Sequence, residues 1–295
     1  MKKINKNILA IETSSNYLGL GLFDNENKLS IINHYLPNSH DTLLAESIRY
    51  LLNLNNLKVN DLDFVTISSG PGSFTGLRIG GSLAKALCFE EDLELLEDLD
   101  ELNSNQPKNP KLISVSSLEL LLIDFLNKNL EQILSNHLGQ SNQSNQSNQS
   151  NLEFNVNIYL KSHKNIYYKQ IVELKINKEQ VNSFEVTSSK DRSIKELSSQ
   201  IITKFHNIEL IEINEKFQTE VETNLSFNNF NITNSIELID YLKNKSLYYF
   251  VELNVENLLH PTLKKIKNGE FEDPSTFVPL YAQEFKLNNN NNNNK

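Results

Sequence analysis

The segment SSGPGSFTGLRIGGSLAKAL, residues 68 to 87, constrains the fold more than any other stretch, because it concentrates the glycines Gly70, Gly72, Gly76, Gly80 and Gly81. Such a segment either cradles a phosphate through free backbone N–H groups or lets two backbones approach closely. The residues before it, DFVTISS, favour a β-strand. The residues from Gly76 onward favour a helix, for which Thr75 is the predicted N-cap.

Two nucleotide-binding signatures fail at a defining residue of this segment. A Walker A loop requires lysine directly after its last glycine, whereas Ser82 follows Gly81. A dinucleotide-binding fingerprint requires a third glycine three positions after Gly72, where the sequence has Thr75. The backbone N–H groups at the start of the predicted helix could still hold an anion, so both interpretations of the loop glycines stay open.

The predicted helix carries small residues on one face. Each glycine inside a helix costs about 1 kcal/mol relative to alanine, so a packing reason is expected for Gly80 and Gly81. Leu77, Gly80, Gly81 and Ala84 recur at i, i+3, i+4 and i+7 and therefore form one stripe. This stripe is suited to close contact with another helix.

Strands and helices alternate along the chain, which indicates an α/β fold. NILAIE and LGLGLFD form a predicted hairpin, and the next helix, SHDTLLAESIRYLLN, has Ser39 as its N-cap. The second half repeats the order, with the strand pair LEFNVNIYL and IYYKQIVELKI followed by a helix (SIKELSSQIITKF), a strand (IELIEI) and a helix (NSIELIDYLKNK). The predicted division is a first lobe at 1–126 with an acidic insertion at 90–110, a linker with an NQS repeat at 127–151, a second lobe at 152–285 and an Asn tail at 286–295.

Composition limits the possible partners. The 295 residues carry a net charge of −9, and no Lys/Arg cluster supplies the basic surface that strong, direct RNA binding requires. The one cysteine, Cys88, excludes an internal disulfide. No stretch approaches the roughly 18 apolar residues of a membrane helix, so a cytoplasmic protein without membrane contact is expected.

The block GPGSFTGLRIG at 70–80 resembles the signature of the TsaB (YeaZ) family. ILAIETSS at 8–15 resembles the opening strand and turn of that family, SHDTLLAESI at 39–48 its next helix, and ISVSSLELL at 113–121 a later strand and helix. The loop that carries the resemblance consists of Gly70, Pro71, Gly72, Ser73, Phe74, Thr75 and Gly76. The resemblance implies an actin-like ASKHA (ribonuclease H-like) fold of two similar lobes, with a mixed sheet flanked by helices.

The resemblance also implies a function. Members of the family are non-catalytic subunits in the synthesis of threonylcarbamoyladenosine beside the tRNA anticodon. They form homodimers and, in the working state, heterodimers with the TsaD transferase through first-lobe helices. The implied partners are a TsaD-like protein, a second copy, other subunits of the complex, and tRNA only through that complex. No cofactor is expected, and the expected interface residues are Leu77, Arg78, Gly80, Gly81 and Ala84.

One enzymatic alternative is an ATPase or kinase of the ASKHA fold. Glu12, Thr13 and Ser14 stand where such enzymes have a phosphate turn. The second phosphate loop of those enzymes is rich in glycine, whereas the matching stretch IYLKSHKNIYY has none. The turn is therefore interpreted as vestigial.

A glycoprotease-like metallopeptidase is the other enzymatic alternative. It requires closely spaced histidines, but Leu44 occupies the position four residues after His40, and no metal site is predicted. A scaffold that only self-associates remains a third alternative. The sequence also departs from the family in the second lobe, where an Asp-Ala-Arg motif is replaced by Leu160, Lys161 and Ser162.

Overall fold

The computed structural model describes residues 6–35, 40–89, 109–141, 151–177, 201–214, 217, 229–241 and 248–280. The chain divides into two compact units, of which the first joins Met1–Leu120 to Leu253–Ala282. The second joins Leu121–Glu252 to Gln283–Lys295. Most of the acidic insertion, the NQS repeat from 142 and the Asn tail lie outside the described residues.

The first unit is built on a five-stranded mixed sheet with the order β3-β2-β1-β4-β5. Its strands are β1 (Asn7–Glu12), β2 (Tyr17–Asp24), β3 (Asn27–Tyr35), β4 (Phe64–Ser68) and β5 (Lys111–Val115). The antiparallel pairs are β1–β2 and β2–β3, whereas β4 is parallel to both β1 and β5. The carboxyl ends of β1 and β4 consequently meet at one edge of the sheet.

Both faces of this sheet are covered, because successive side chains of a strand point to opposite sides. Leu9 and Ile11 pack with the helices α1 (His40–Leu54) and α2 (Phe74–Cys88). Ile8 and Ala10 pack on the other face, against the chain from Val255 to Ile266. That segment comprises the 3₁₀ turn Val255–Leu258 and the helix α5 (Leu259–Asn268). The first unit is therefore a layer of helices, a sheet and a second helical layer.

The second unit contains a six-stranded sheet with the order β11-β10-β6-β7-β8, in which β9 also pairs with β7. Its strands are β6 (Asn151–His163), β7 (Ile166–Asn177), β8 (Ile202–Phe205), β9 (Glu209–Glu212), β10 (Asn229–Thr233) and β11 (Tyr248–Phe250). The helix α3 (Ser117–Ser141) and the short helix α4 (Ile236–Tyr241) accompany it. A cluster of aromatic rings packs within this unit, with Phe230 5.5 Å from Phe125, 5.7 Å from Phe154 and 6.0 Å from Tyr249.

The two sheets share one topology. Each has a central strand that pairs antiparallel with the strand following it in the chain, and parallel with a strand on its other side. Beyond the parallel neighbour of each central strand lies a second parallel strand, β5 in the first sheet and β11 in the second. Beyond the antiparallel neighbour lies a further antiparallel strand, β3 in the first sheet and β8 in the second. The repeated order of elements predicted from the sequence therefore corresponds to a repeated sheet.

Three expectations about elements are corrected by the structure. The segment Asn27–Tyr35 is a strand that the sequence did not predict. Residues Ile202–Phe205, the end of a predicted helix, form β8 on the edge of β7. The expected linker at 127–151 is helical up to Ser141, because α3 continues to that residue.

The division into units also differs from the expected lobes at the C-terminal side. The expected second lobe runs to residue 285, whereas Leu253–Ala282 packs with the first unit. Val255 and Leu258 are fully buried in the core of the first sheet, which is the physical reason for the difference. None of the described helices has the length and apolar character needed to cross a membrane.

Candidate functional site

The glycine-rich loop joins β4 to α2. It contains a cis peptide bond between Gly70 and Pro71, and α2 begins at Phe74. The N-cap is Ser73, whose side-chain oxygen accepts a hydrogen bond from the backbone N–H of Gly76 at 3.2 Å. The predicted cap, Thr75, instead lies in the first turn of the helix, so the helix starts earlier than the sequence suggested.

Three of the glycines contact the turn that follows β1. A Cβ atom on Gly72 would lie 2.3 Å from the carbonyl oxygen of Ser14. One on Gly76 would lie 2.0 Å from the carbonyl oxygen of Thr13, and one on Gly80 2.2 Å from Thr13 Oγ1. These distances are too short for any side chain, so the three glycines allow the turn to pack directly on α2.

The turn itself is buried and hydrogen-bonded. The Glu12 carboxyl group is fully buried, and its Oε1 accepts hydrogen bonds from the Ser14 backbone N–H at 2.7 Å and from Ser14 Oγ at 2.5 Å. The Ser14 carbonyl oxygen in turn accepts from the backbone N–H of Ser73 at 2.7 Å. Burial raises the pKa of the Glu12 carboxyl, and hydrogen bonds from Ser14 and Ser68 oppose that shift. The residues predicted as a vestigial phosphate turn therefore hold the cap of α2.

The small-residue stripe of α2 points into its own unit, which corrects the predicted partner interface. Leu77, Gly80, Gly81 and Ala84 are all buried. A Cβ atom on Gly81 would lie 2.8 Å from the ring of Pro279, and Ala84 belongs to the core beneath α2. The stripe is thus covered by the turn after β1 and by the C-terminal segment of the same chain.

Polar contacts hold that C-terminal segment in place. The backbone N–H of Leu280 donates to the carbonyl oxygen of Ser69 at 2.8 Å. Lys85 Nζ donates to the carbonyl oxygen of Phe277 at 3.1 Å. The Phe277 side chain is itself buried in the core cluster of α1 and α2. The segment therefore covers α2 from the side opposite the groove described next.

An apolar groove lies between α1 and α2, with a volume of about 290 Å³. Ala45, Ile48, Arg49, Leu52, Asn53, Leu57, Lys58, Val59, Leu83 and Leu87 line it. Leu83 and Leu87 are only partly buried, although Ala84 and Cys88 beside them are fully inside. Sequence reasoning missed this groove, although Ile79, Leu83 and Leu87 at i, i+4 and i+8 form a second apolar row on α2.

Further exposed apolar side chains extend this surface along α1. Leu43, Tyr50 and Leu54 are 42%, 61% and 60% exposed. Of the five predicted interface residues, Arg78 is the one on the exposed side of α2, where its guanidinium lies 4.0 Å from the ring centre of Phe74. One exposed apolar face of the first unit is therefore formed by α1 and the outer side of α2.

The titratable residues of the described part of the chain bear on whether it can hold a metal ion. Over those residues, no three His, Cys, Asp or Glu side chains lie in an arrangement that could hold a metal ion. Cys88 is buried in the core beneath α1 and α2, and burial raises the pKa of its thiol to about 12. In the second unit Leu160 is buried and Lys161 forms an ion pair with Glu237, so this stretch serves packing and a surface contact.

Comparison with known proteins finds similarity to proteins whose names refer to tRNA modification. Residues 35–97, which include α1, the loop and α2, match the family model of the transferase TsaD, described as tRNA N6-adenosine threonylcarbamoyltransferase. The tRNA threonylcarbamoyladenosine biosynthesis protein TsaB of Bacillus subtilis is 34% identical over 109 residues, which cover 36% of this chain and 48% of that protein. TsaB of Haemophilus influenzae is 32% identical over 31% of this chain and 39% of that protein. The chain thus aligns with about half or less of the length of these curated relatives.

Other relatives and a solved structure extend the comparison. The tRNA N6-adenosine threonylcarbamoyltransferase of Sulfurisphaera tokodaii is 26% identical over 30% of this chain and 32% of that protein. The structure of YeaZ from Pseudomonas aeruginosa superposes with a TM-score of 0.58 at 14% identity, covering 94% of this chain and 99% of that one. The predicted resemblance to the TsaB (YeaZ) family and the predicted ASKHA-like fold are therefore confirmed.

Proposed function

We propose that this chain, as a member of the TsaB (YeaZ) family, is the non-catalytic subunit in the threonylcarbamoyladenosine modification of tRNA. In this proposal it acts by forming a heterodimer with a TsaD-like transferase and meets tRNA only as part of that complex. The proposal is supported by the TsaB proteins that the chain resembles. The names of those relatives give the modification, threonylcarbamoyladenosine biosynthesis on tRNA. That this chain is the non-catalytic subunit and a TsaD-like protein is the transferase is our proposal.

One observation carries the choice of docking surface. The segment that matches the transferase family model, residues 35–97, contains both helices that build the apolar groove. Two related proteins that present the same pair of helices can pair about a pseudo-twofold axis, as subunits do in symmetric dimers. We therefore assign the partner face to α1 and the outer side of α2, rather than to the buried stripe.

The chemistry of the groove fits a helical partner. Apolar side chains line its floor, whereas Arg49, Asn53 and Lys58 stand among the residues around it. An apolar centre with a polar margin is the usual composition of a specific protein interface. An incoming helix that inserts one large apolar side chain would bury Leu83 and Leu87, which are only partly buried in the first unit.

The enzymatic alternatives gain less support from the same residues. The turn of Glu12, Thr13 and Ser14 contacts the glycine-rich loop directly, and its carbonyl oxygens occupy the space that larger side chains would need. A nucleotide phosphate at that turn would have to displace the loop. The heterodimer proposal requires no such rearrangement.

The test is binding to the TsaD-like protein of the same source, measured by calorimetry. Asn53→Arg places a long charged side chain in the groove at an exposed position, and Asn268→Arg is its matched control in the last turn of α5. Overpacking costs about 1 to 3 kcal/mol, so Asn53→Arg is expected to weaken binding about five- to 150-fold. Equal affinity of both variants and the native chain would exclude the groove. No binding by the native chain would exclude the heterodimer.

A further inference from the structure

One carboxyl oxygen at the end of β1 and one hydroxyl at the end of β4 are both buried without a partner. Glu12 Oε2 and Ser68 Oγ make no hydrogen bond of good geometry to any described residue. The residues follow the paired positions Ile11 and Ile67 in two parallel strands, so their side chains leave the sheet on the same side. Burial raises the pKa of the Glu12 carboxyl, and the Ser68 hydroxyl is among the groups that oppose that shift.

The protonation state of Glu12 decides the direction of a hydrogen bond between these two atoms. An ionised carboxylate would be a fully buried charge with no cation beside it, which is strongly unfavourable even where serine hydroxyls donate to it. A protonated carboxyl carries one O–H donor, and Ser68 Oγ is an acceptor beside it. Ser14 already supplies both donors to Oε1, so the proton belongs on Oε2.

No neighbouring charge competes with this assignment in the described residues. Gly19 of β2 faces Glu12 across the sheet, and Val255 packs beside the same pair. The turn presents Ser14 and β4 presents Ser68, and the causes acting on the pKa of Glu12 are burial and hydrogen bonds from these serines. No lysine, arginine or histidine from these elements stabilises an ionised form.

The carboxyl is linked to α2 through a short series of hydrogen bonds. Glu12 Oε1 accepts from the backbone N–H of Ser14, and the Ser14 carbonyl oxygen accepts from the backbone N–H of Ser73. Ser73 caps α2 by accepting from the N–H of Gly76. A change at Glu12 therefore reaches the first turn of α2, the helix that forms one wall of the groove.

We propose that Glu12 is a positioning residue that keeps its proton in the folded chain, donates it from Oε2 to Ser68 Oγ, and so fixes the cap of α2. The effect on partner docking rests on the proposed heterodimer, whereas the protonation state and the fixed cap do not. Because the folded chain holds this proton more tightly than the unfolded chain, the stabilisation is fully present below the unfolded pKa, about 4.3. It is lost as the pH rises through the raised folded pKa.

The test uses the full chain with Glu12→Gln, Glu12→Ala and Ser68→Ala. Glutamine reproduces a protonated carboxyl, because its amide N–H can donate to Ser68 while its oxygen accepts from Ser14. Burial also raises the pKa of Glu119, so the acid band of Glu12 is expected in the difference between the infrared spectra of the native chain and Glu12→Gln. In urea unfolding, the folding equilibrium constant of the native chain relative to Glu12→Gln is expected to fall by up to about tenfold per pH unit above the unfolded pKa.

Three results would overturn the proposal. The first is that the folding equilibrium constants of the native chain and Glu12→Gln keep a constant ratio from pH 5 to pH 9, and that no protonated-acid band is assigned to Glu12. The second is Glu12→Gln losing as much stability as Glu12→Ala at pH 5. The third is unchanged hydrogen exchange in the first turn of α2 when Glu12 becomes Ala. In Ser68→Ala the infrared band of the protonated Glu12 carboxyl is expected to move, because the hydrogen bond to the Ser68 hydroxyl is lost. An unchanged band position would exclude Ser68 as the acceptor.

Partner binding supplies a separate readout. Glu12→Ala is expected to weaken binding to the TsaD-like protein, and Glu12→Gln is expected to preserve it. If the native chain itself fails to bind, the proposed function fails, while the infrared and unfolding measurements on the chain alone still decide the role of Glu12.

Discussion

The backbone N–H of Ser73 donates to the carbonyl oxygen of Ser14 at 2.7 Å, so the cap of α2 is bonded to the turn after β1. This bond brings two segments together that are distant in the sequence, and Gly72 and Gly76 leave the space for it. The glycines of the signature block therefore serve close backbone approach within the chain. Their effect on a partner is indirect, through the position of α2.

The first prediction distinguishes two steric overlaps that a Cβ atom would make, one with a side chain at Gly80 and one with the backbone at Gly76. Gly80→Ala places Cβ 2.2 Å from a side-chain atom, Thr13 Oγ1, whereas Gly76→Ala places it 2.0 Å from the Thr13 carbonyl oxygen. Both are expected to lower the free energy of unfolding by about 1 to 3 kcal/mol. Thr13→Ala should recover most of the loss in Gly80→Ala and little of that in Gly76→Ala, because only the first overlap involves a removable atom.

A double-mutant cycle in urea measures this difference, with Ser82→Ala on the exposed side of α2 as the control. Equal recovery in both backgrounds would contradict the close packing of the turn on α2. These expectations replace the one under which Gly80 belongs to a partner interface, because its neighbours are in its own unit.

Local patterns predicted much of the fold, because they reflect local energetics. The short apolar run from Ile8 to Ile11 predicted β1, and the helical spacing of Leu44, Ile48 and Leu51 predicted α1. The polar edge strand β3 lacks such a pattern, since most of its side chains are exposed or half-buried. Edge strands bury little apolar surface, so their sequences carry a weak signal.

The candidate site was predicted less well, for a physical reason. The stripe on α2 was recognised as a close-packing surface, but its occupant includes Pro279, almost two hundred residues further along the chain. Helical periodicity shows which residues share a face and says nothing about what covers that face. The groove was missed because Leu83 and Leu87 look like core residues until the structure shows that they are only partly covered.

The second prediction tests the C-terminal segment with two adjacent residues. Phe277 is 7% exposed and packs in the core of α1 and α2, whereas Val278 is 62% exposed. Phe277→Ala is expected to lower the free energy of unfolding by about 3 to 5 kcal/mol, and Val278→Ala to change it by less than about 0.5 kcal/mol. Urea unfolding of both variants is the measurement. Similar small effects would mean that the segment does not complete the first unit.

The third prediction concerns the reaction and follows from the proposed function. This chain alone, supplied with tRNA, threonine, bicarbonate and ATP, is expected to form no threonylcarbamoyladenosine. Adding the TsaD-like protein and the remaining components should restore the product, which mass spectrometry of digested tRNA detects. Product formed by this chain without a TsaD-like protein would overturn its assignment as a non-catalytic subunit.

The last prediction uses Cys88 as a reporter of unfolding. It is the one cysteine of the chain, it is 3% exposed, and burial raises the pKa of its thiol to about 12. At pH 8 the folded chain would therefore hold only about one thiolate in ten thousand, and only the thiolate reacts with alkylating reagents. Modification by iodoacetamide should be slow in the native chain and should accelerate in Gly76→Ala in proportion to the rise in its unfolding equilibrium constant, because reaction then proceeds through opened molecules. Rapid modification of the native chain, at a rate insensitive to Gly76→Ala, would show that Cys88 is accessible and that the core beneath α1 and α2 is open.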